Sequence, residues 1–238
     1  MIGTIRQLMR NRKIARRIAR DDQREILLES ESGRDTYWDT LAAESAESSL
    51  IALLEQALDH PGDIVECGVF RGDSLRRIAK TVKETAPDRT VFGLDSFEGF
   101  PPGGITSLDI TSLRSKTRLE GKFKGADDVP ARLTRFAKAF DIDLDLRKGY
   151  FEATLPGIKD RDFCFIHIDC DTYSGHVEVL EALYDRLTPG GIIVYDDYGS
   201  DAWPGATRAV DEFFAEKPET ILKSEVRSHP AWYSVKAG

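Results

Sequence analysis

The sequence has little cysteine. Cys67, Cys164 and Cys170 cannot all pair, and none falls in a zinc-type spacing, so neither a disulfide framework nor a structural zinc site is expected. No apolar run approaches the length of a transmembrane helix, and no signal-peptide core precedes a cleavage site. Membrane insertion is therefore not expected, and reduced cysteines point to the cytoplasm. Positive charge is in deficit: 33 Lys and Arg face 41 Asp and Glu, a net charge of −8. That balance argues against general nucleic-acid binding. The Gly-x-Gly-x-x-Gly fingerprint of dinucleotide sites is also missing, which disfavours a nicotinamide-dependent oxidoreductase.

What is present is a chain of 238 residues, 41% hydrophobic and 31% charged, enough for one α/β domain with a modest N-terminal extension. Residues 1–40 form the extension. Arg6, Arg10, Arg12, Lys13, Arg16, Arg17 and Arg20 occur there with no acidic residue among them, and Ile5, Leu8, Met9, Ile14 and Ile18 give a loose apolar stripe. A helix serving as an oligomer contact or a lid is the expectation, with a homodimer or larger assembly. Residues 41–238 alternate helix and strand signals. Leu41–Leu58 reads as one helix, then Asp63–Gly68 as a strand, Asp73–Thr85 as a helix and Thr90–Asp95 as a strand. Val129–Phe140 reads as a helix, Leu144–Lys148 and Asp162–Asp169 as strands, and Ser174–Leu187 as a helix stopped by Thr188-Pro189-Gly190-Gly191. A fifth strand, helix Ala206–Phe214 and two late strands near Thr220–Arg227 and Ala231–Lys236 complete a seven-stranded, doubly wound sheet with one antiparallel strand near its C-terminal edge.

Two of these strands end in acidic clusters, Phe165-Ile166-His167-Ile168-Asp169-Cys170-Asp171 and Gly191-Ile192-Ile193-Val194-Tyr195-Asp196-Asp197. In parallel sheets ligands bind beyond the carboxyl ends of the strands. Carboxylates converging there repel one another unless a cation sits between them, and a hard divalent ion such as Mg²⁺ answers that need. The plainer alternative is that each Asp caps a helix or sits in a solvated turn.

The first strand-to-helix turn runs Val65-Glu66-Cys67-Gly68-Val69-Phe70-Arg71-Gly72-Asp73-Ser74. Glu66 and Asp73 place negative charge where a pyrophosphate would lie. An acidic loop suits a cationic ligand, such as the sulfonium and amine of S-adenosylmethionine. Asp95 ends the second strand, where an acid accepts ribose hydroxyl hydrogen bonds. The bland reading is a tight turn and a capping Asp.

These segments, with Gly93-Leu94-Asp95-Ser96-Phe97-Glu98-Gly99-Phe100-Pro101, Lys148-Gly149-Tyr150-Phe151, His167-Ile168-Asp169-Cys170-Asp171, Leu187-Thr188-Pro189-Gly190-Gly191 and Asp196-Asp197-Tyr198-Gly199, resemble the macrocin/mycinamicin O-methyltransferase family. The resemblance covers about Leu41 to the C-terminus. It implies a class I methyltransferase, Rossmann-like fold, S-adenosylmethionine, Mg²⁺ and methylation of a sugar hydroxyl in antibiotic biosynthesis. It implies cofactor contacts from Glu66, Gly68, Arg71, Gly72, Ser74, Asp95, Ser96, Gly149, Tyr150, Phe151 and Asp169. Segments around 97–130 are expected to shape the acceptor site.

The chemistry follows from the residues themselves. Methyl transfer from a sulfonium needs a nucleophilic oxygen. A divalent cation lowers a hydroxyl's pKa, and a nearby base removes the proton. Asp169, Asp196 and Asp197 are the expected metal ligands and Asp171 the expected general base. His167 and His176 are rival bases, although strand alternation makes His167 a buried, hydrogen-bonded histidine. Other acceptors, a cell-surface polysaccharide sugar or a catechol-like phenol, and a noncatalytic ligand-binding protein stand as alternatives.

Overall fold

The computed structural model describes residues 16, 19–111, 119, 122–123, 128–224 and 230–238. Most of the arginine-rich, apolar-striped stretch lies outside the described residues. The chain divides into two compact units, 1–43 and 44–238.

Helix α1 spans Glu31–Ser45 and α2 spans Ser49–Ala57. The single helix expected over Leu41–Leu58 is thus broken at 46–48. Three serines explain the break, because Ser side chains compete for backbone groups inside helices and favour their starts. The Ser48 N–H donates to the Ser45 carbonyl at 2.9 Å, and Ser48 has extended backbone at the N-cap of α2.

Unit 44–238 holds strands β1 (Asp63–Cys67), β2 (Val91–Asp95), β3 (Leu144–Lys148), β4 (Phe163–Ile168), β5 (Leu187–Tyr195), β6 (Leu222–Lys223) and β7 (Trp232–Val235). They form one seven-stranded sheet in the order β3-β2-β1-β4-β5-β7-β6. The first five are parallel, and β7 runs antiparallel to both β5 and β6. Helices α3 (Asp73–Thr85), α4 (Val129–Ala139), α5 (Phe151–Thr154), α6 (Tyr173–Leu183) and α7 (Pro204–Phe214) connect the strands. Strand β4 is buried along its whole length, as an unbroken apolar run in a two-sided sheet requires. Strand β5 begins before the expected Gly191. Its Leu187 pairs with Phe163 and its Ile192 with Phe165, so residues 188–191 form a bulge. The late strands are shorter than expected, and residues 225–229 between them lie outside the described residues.

One polar clamp secures the C-terminal edge. The Tyr184 hydroxyl contacts both oxygens of Glu219, at 2.9 and 2.8 Å, and the Ala237 N–H donates to one of them at 3.1 Å. Burial works to raise the Glu219 pKa, but these donors outweigh it and hold the group below the usual carboxylate range. A depressed carboxyl contributes stability above its unfolded pKa of about 4.3 and loses it as pH falls through the lower folded value. Tyr184→Phe is therefore expected to cost about 1.5–3 kcal/mol at neutral pH. Urea denaturation should show the gap between variant and parent narrowing in acid.

Candidate active site

The strand order reverses between β1 and β4, and ligands bind at such a switch point. Here the exits of β1, β4 and β2 are laced together. The Asp169 N–H donates to the Cys67 carbonyl at 2.9 Å, and the Gly68 N–H to the Leu94 carbonyl at 2.9 Å. Gly68 has φ of +99°, and a Cβ there would collide with the carbonyl oxygen of Asp169. Glycine is needed because the β4 exit passes against it.

Asp95 anchors the loops around this crossing. One of its carboxylate oxygens accepts the Val69 and Phe70 N–H groups at 2.8 and 2.7 Å, and the other accepts the Phe97 N–H at 2.6 Å. Phe70 and Phe97 have φ of 48° and 56°, a costly conformation for a bulky side chain that such hydrogen bonds offset. The Asp95 carbonyl accepts the Gly149 N–H at 2.9 Å, so the β3 exit is tied to the same point. Asp95→Ala is expected to weaken S-adenosylmethionine binding by about 1.5–3 kcal/mol in calorimetry. It should also lower the melting temperature, because three backbone donors lose their acceptor.

A cavity of about 300 Å³ lies over these strand ends. Of the expected cofactor residues, Gly68, Asp95, Ser96, Gly149, Tyr150, Phe151 and Asp169 line it. Glu66, Arg71, Gly72 and Ser74 are not in its wall. Glu66 is fully buried against His167, with Oε1 2.8 Å from Nδ1. The Arg71 guanidinium lies 6.0 Å from the centre of the Phe70 ring, and Gly72 faces the Leu133 side chain. Ser74 sits in the first turn of α3. Buried Arg76 holds this turn from below, donating to the carbonyls of Arg71 and Gly72 at 2.7 and 3.0 Å.

One end of the cavity is acidic. Asp169, Asp171, Asp196 and Asp197 all line it. Asp171 has φ of 63°, and its N–H donates to Asp197 Oδ2 at 2.8 Å. Thr172 then caps α6, its hydroxyl accepting the Gly175 N–H at 3.2 Å. Burial pushes the Asp169 carboxyl well above the usual range, and the charges of Asp196, Asp197, Asp171 and Glu66 add to the rise. One ligand atom each from His167, Asp169 and Asp196 lie within 4.8 Å of one another. His167 Nε2 is buried with no hydrogen-bond partner. Converging carboxylates beside an orphaned imidazole nitrogen form a donor set that fits a divalent cation. The neighbouring acids and Asp95 likewise suit the sulfonium and amine of S-adenosylmethionine, with Tyr150 and Phe151 offering apolar rings.

His176 is not in the cavity wall. It is fully buried, its Nδ1 lies 2.9 Å from the Thr172 carbonyl, and burial pushes its pKa down to about 4.

The other end of the cavity is aromatic and was not singled out residue by residue from the sequence. Phe70 and Phe100 both meet Phe123 edge-on, with ring centres 5.0 and 5.4 Å apart, and Phe100 meets Trp203 at 5.9 Å. A buried carboxylate, Asp109, positions this wall. It accepts the Thr106 N–H and hydroxyl at 2.7 and 2.8 Å and the Tyr173 N–H at 2.7 Å. The Ser174 hydroxyl donates to the Gly104 carbonyl at 2.7 Å, so the loop after β2 is pinned to the start of α6. The resemblance implies only that segments before Leu41 and around 97–130 shape an acceptor site.

The fold recurs in known proteins. In solved structures the chain is similar to the calicheamicin methyltransferase CalS11, with a TM-score of 0.69 and 24% identity over 87% of this chain and 93% of that one. It is also similar to the O-methyltransferase NovP, with a TM-score of 0.63 and 23% identity over 82% and 80%. In sequence it is 37% identical to the 8-demethyl-8-(2,3-dimethoxy-alpha-L-rhamnosyl)-tetracenomycin-C 4'-O-methyltransferase of Streptomyces olivaceus, over 60% of this chain and 55% of that protein. The chain thus spans just over half the length of that relative. It is 32% identical to the mycinamicin III 3''-O-methyltransferase of Micromonospora griseorubida, over 77% of this chain and 74% of that one. The family profile described as macrocin-O-methyltransferase (TylF) matches residues 46–227, which include the acidic strand ends, the Gly68 crossing and the aromatic wall. By that match the chain belongs to the macrocin-O-methyltransferase family.

Proposed function

We propose that this chain moves the methyl group of S-adenosylmethionine to a hydroxyl of a sugar carried by a natural-product acceptor, in an antibiotic or related pathway, with a divalent cation such as Mg²⁺ at its acidic end. The observation that carries the reading is the meeting of three parts in one cavity: the Gly68–Asp95 crossing, the four carboxylates and the aromatic wall. The names of the two relatives, for a rhamnosyl tetracenomycin and for mycinamicin III, support a glycosylated acceptor.

The roles divide along the sheet. Gly68, Asp95, Ser96 and Gly149–Phe151 bind and orient the cofactor, which supplies an electrophilic methyl group. Asp169, Asp196 and Asp197 hold the cation, which supplies positive charge that lowers the pKa of an acceptor hydroxyl. Asp171 takes that proton at a carboxylate oxygen. Asp197 steadies Asp171 through its N–H. Phe70, Phe100, Phe123 and Trp203 give the acceptor an apolar surface and exclude water. The extension before Leu41 serves, in this reading, as a contact of a homodimer or larger assembly.

The test is a methyl-transfer screen over glycosylated macrolides, glycosylated polyketides, polysaccharide sugars and catechols. S-adenosylhomocysteine formation and acceptor mass are followed together. Transfer to a glycosylated acceptor at its sugar is the expected result. Transfer to catechols alone would overturn the acceptor assignment.

A further inference from the structure

We propose that His167, oriented by Glu66, is a nitrogen ligand of the cation at the acidic end. The site then takes first-row transition cations such as Mn²⁺ and Co²⁺ more tightly than Mg²⁺. This rests on the reading that the site holds a divalent cation.

Glu66 and His167 are register partners on adjacent strands β1 and β4. Both are buried, 0% and 1% exposed. Their contact is 2.8 Å, from Glu66 Oε1 to His167 Nδ1. Nδ1 faces the carboxylate and is the donor of this pair. Nε2 is the nitrogen left over, and it is buried with no hydrogen-bond partner. A buried ring nitrogen without a partner is costly whether or not it carries a proton, and a cation in place of that proton satisfies it. Asp169 stands two residues further along the strand, on the same face as His167. Asp196 joins them, one ligand atom of each residue lying within 4.8 Å of the others. Ligand atoms held about 2.1–2.2 Å from one cation stand at most about 4.4 Å apart, so a small contraction brings all three onto one ion.

A histidine whose other ring nitrogen is held by a carboxylate is a common way to fix the tautomer and orientation of a metal ligand. The pair also changes which ion is preferred. Carboxylates alone suit Mg²⁺, whereas an added imidazole favours first-row transition cations. Glu66, which a contact with the cofactor would have placed in the cavity wall, acquires a role as the residue that positions His167.

The experiment uses the full chain loaded with Mn²⁺, Co²⁺ or Mg²⁺ and needs no acceptor. Pulsed electron paramagnetic resonance of the Mn²⁺-loaded protein should show hyperfine coupling to a directly bound ¹⁴N nucleus. Calorimetry should show Co²⁺ binding more tightly than Mg²⁺. His167→Gln should lower Co²⁺ affinity by about 10–100-fold and Mg²⁺ affinity by much less, and should abolish the ¹⁴N coupling. Glu66→Gln should keep the coupling while weakening Co²⁺. S-adenosylmethionine binding serves as the control for an intact fold. If His167→Gln fails to fold, the parent spectrum decides alone. Bound Mn²⁺ without ¹⁴N coupling overturns the proposal and leaves the carboxylate site standing. No binding of any cation overturns both.

Discussion

Asp196→Ala is expected to abolish cation binding and methyl transfer while leaving S-adenosylmethionine affinity within about two-fold of the parent. The separation follows from the sheet. Asp196 leaves β5, whereas the proposed cofactor contacts Gly68 and Asp95 sit at the ends of β1 and β2. β1 and β2 lie two and three strand spacings from β5, about 10 and 14 Å. Loss of several kcal/mol of charge stabilisation corresponds to about 10³-fold in turnover. EDTA should reproduce this phenotype in the parent protein, with activity returning when a divalent cation is added back. The variant should also melt no lower than the cation-free parent, because Asp196 is the foremost of the charges that raise the Asp169 pKa. Removing it relieves a repulsion rather than a bond. Full turnover in excess chelator would sink the metal-assisted reading. Calorimetry of the cofactor and the cation, run separately on the same preparation, provides the check.

The parts of the fold that were legible in the sequence depend on runs of neighbouring residues. Phe163–Ile168 is continuously apolar but for His167, and it is the fully buried central strand. Helix α3 matches its expected span, Asp73–Thr85, because Gly72 stops the preceding turn and Leu75, Ile78, Ala79 and Val82 then share one buried face. What was not legible depends on backbone conformation or on partners distant in the chain. Nothing in the residue types announces φ above 40° at Phe70, Phe97 and Phe123, since glycine, asparagine and aspartate are the residues that advertise it. Nor does sequence reveal that Glu66 turns to His167, 101 residues away. That pairing needs the β1–β4 register. Asp109 escaped notice for the same reason, because its partner Tyr173 is 64 residues distant. Of the expected cofactor residues, Gly68, Asp95, Ser96, Gly149, Tyr150, Phe151 and Asp169 came together over the cavity, whereas Glu66 inside β1, Arg71 and Gly72 in the turn and Ser74 in α3 did not. A strand end is fixed by the sheet, whereas a turn's side chains point wherever its φ angles send them.

Asp171→Asn is expected to reduce turnover by about 10²–10⁴-fold while cation and cofactor still bind. Asn isolates the chemistry better than any other replacement. The position is left-handed, with φ of 63°, and Asn tolerates that conformation as Asp does. The hydrogen bond from residue 171 to Asp197 uses the backbone N–H, so the substitution leaves it in place. Shape, backbone and the acidic neighbours persist, while the carboxylate's charge and its ability to take a proton are lost. Asp171→Ala would confound that loss with strain, because Ala has no polar side chain to favour a left-handed turn. The rival bases are poorly placed. His176 lies outside the cavity wall, with its Nδ1 against the Thr172 carbonyl. His167 has its Nδ1 engaged by Glu66 and, as proposed above, its Nε2 on the cation. Single-turnover rates on a preformed complex with cofactor and cation separate chemistry from binding. A slow chemical step with unchanged affinities is the expected outcome. Parental single-turnover rates in Asp171→Asn would move the base elsewhere, and His167→Gln would then have to slow the chemical step even when the cation is saturating.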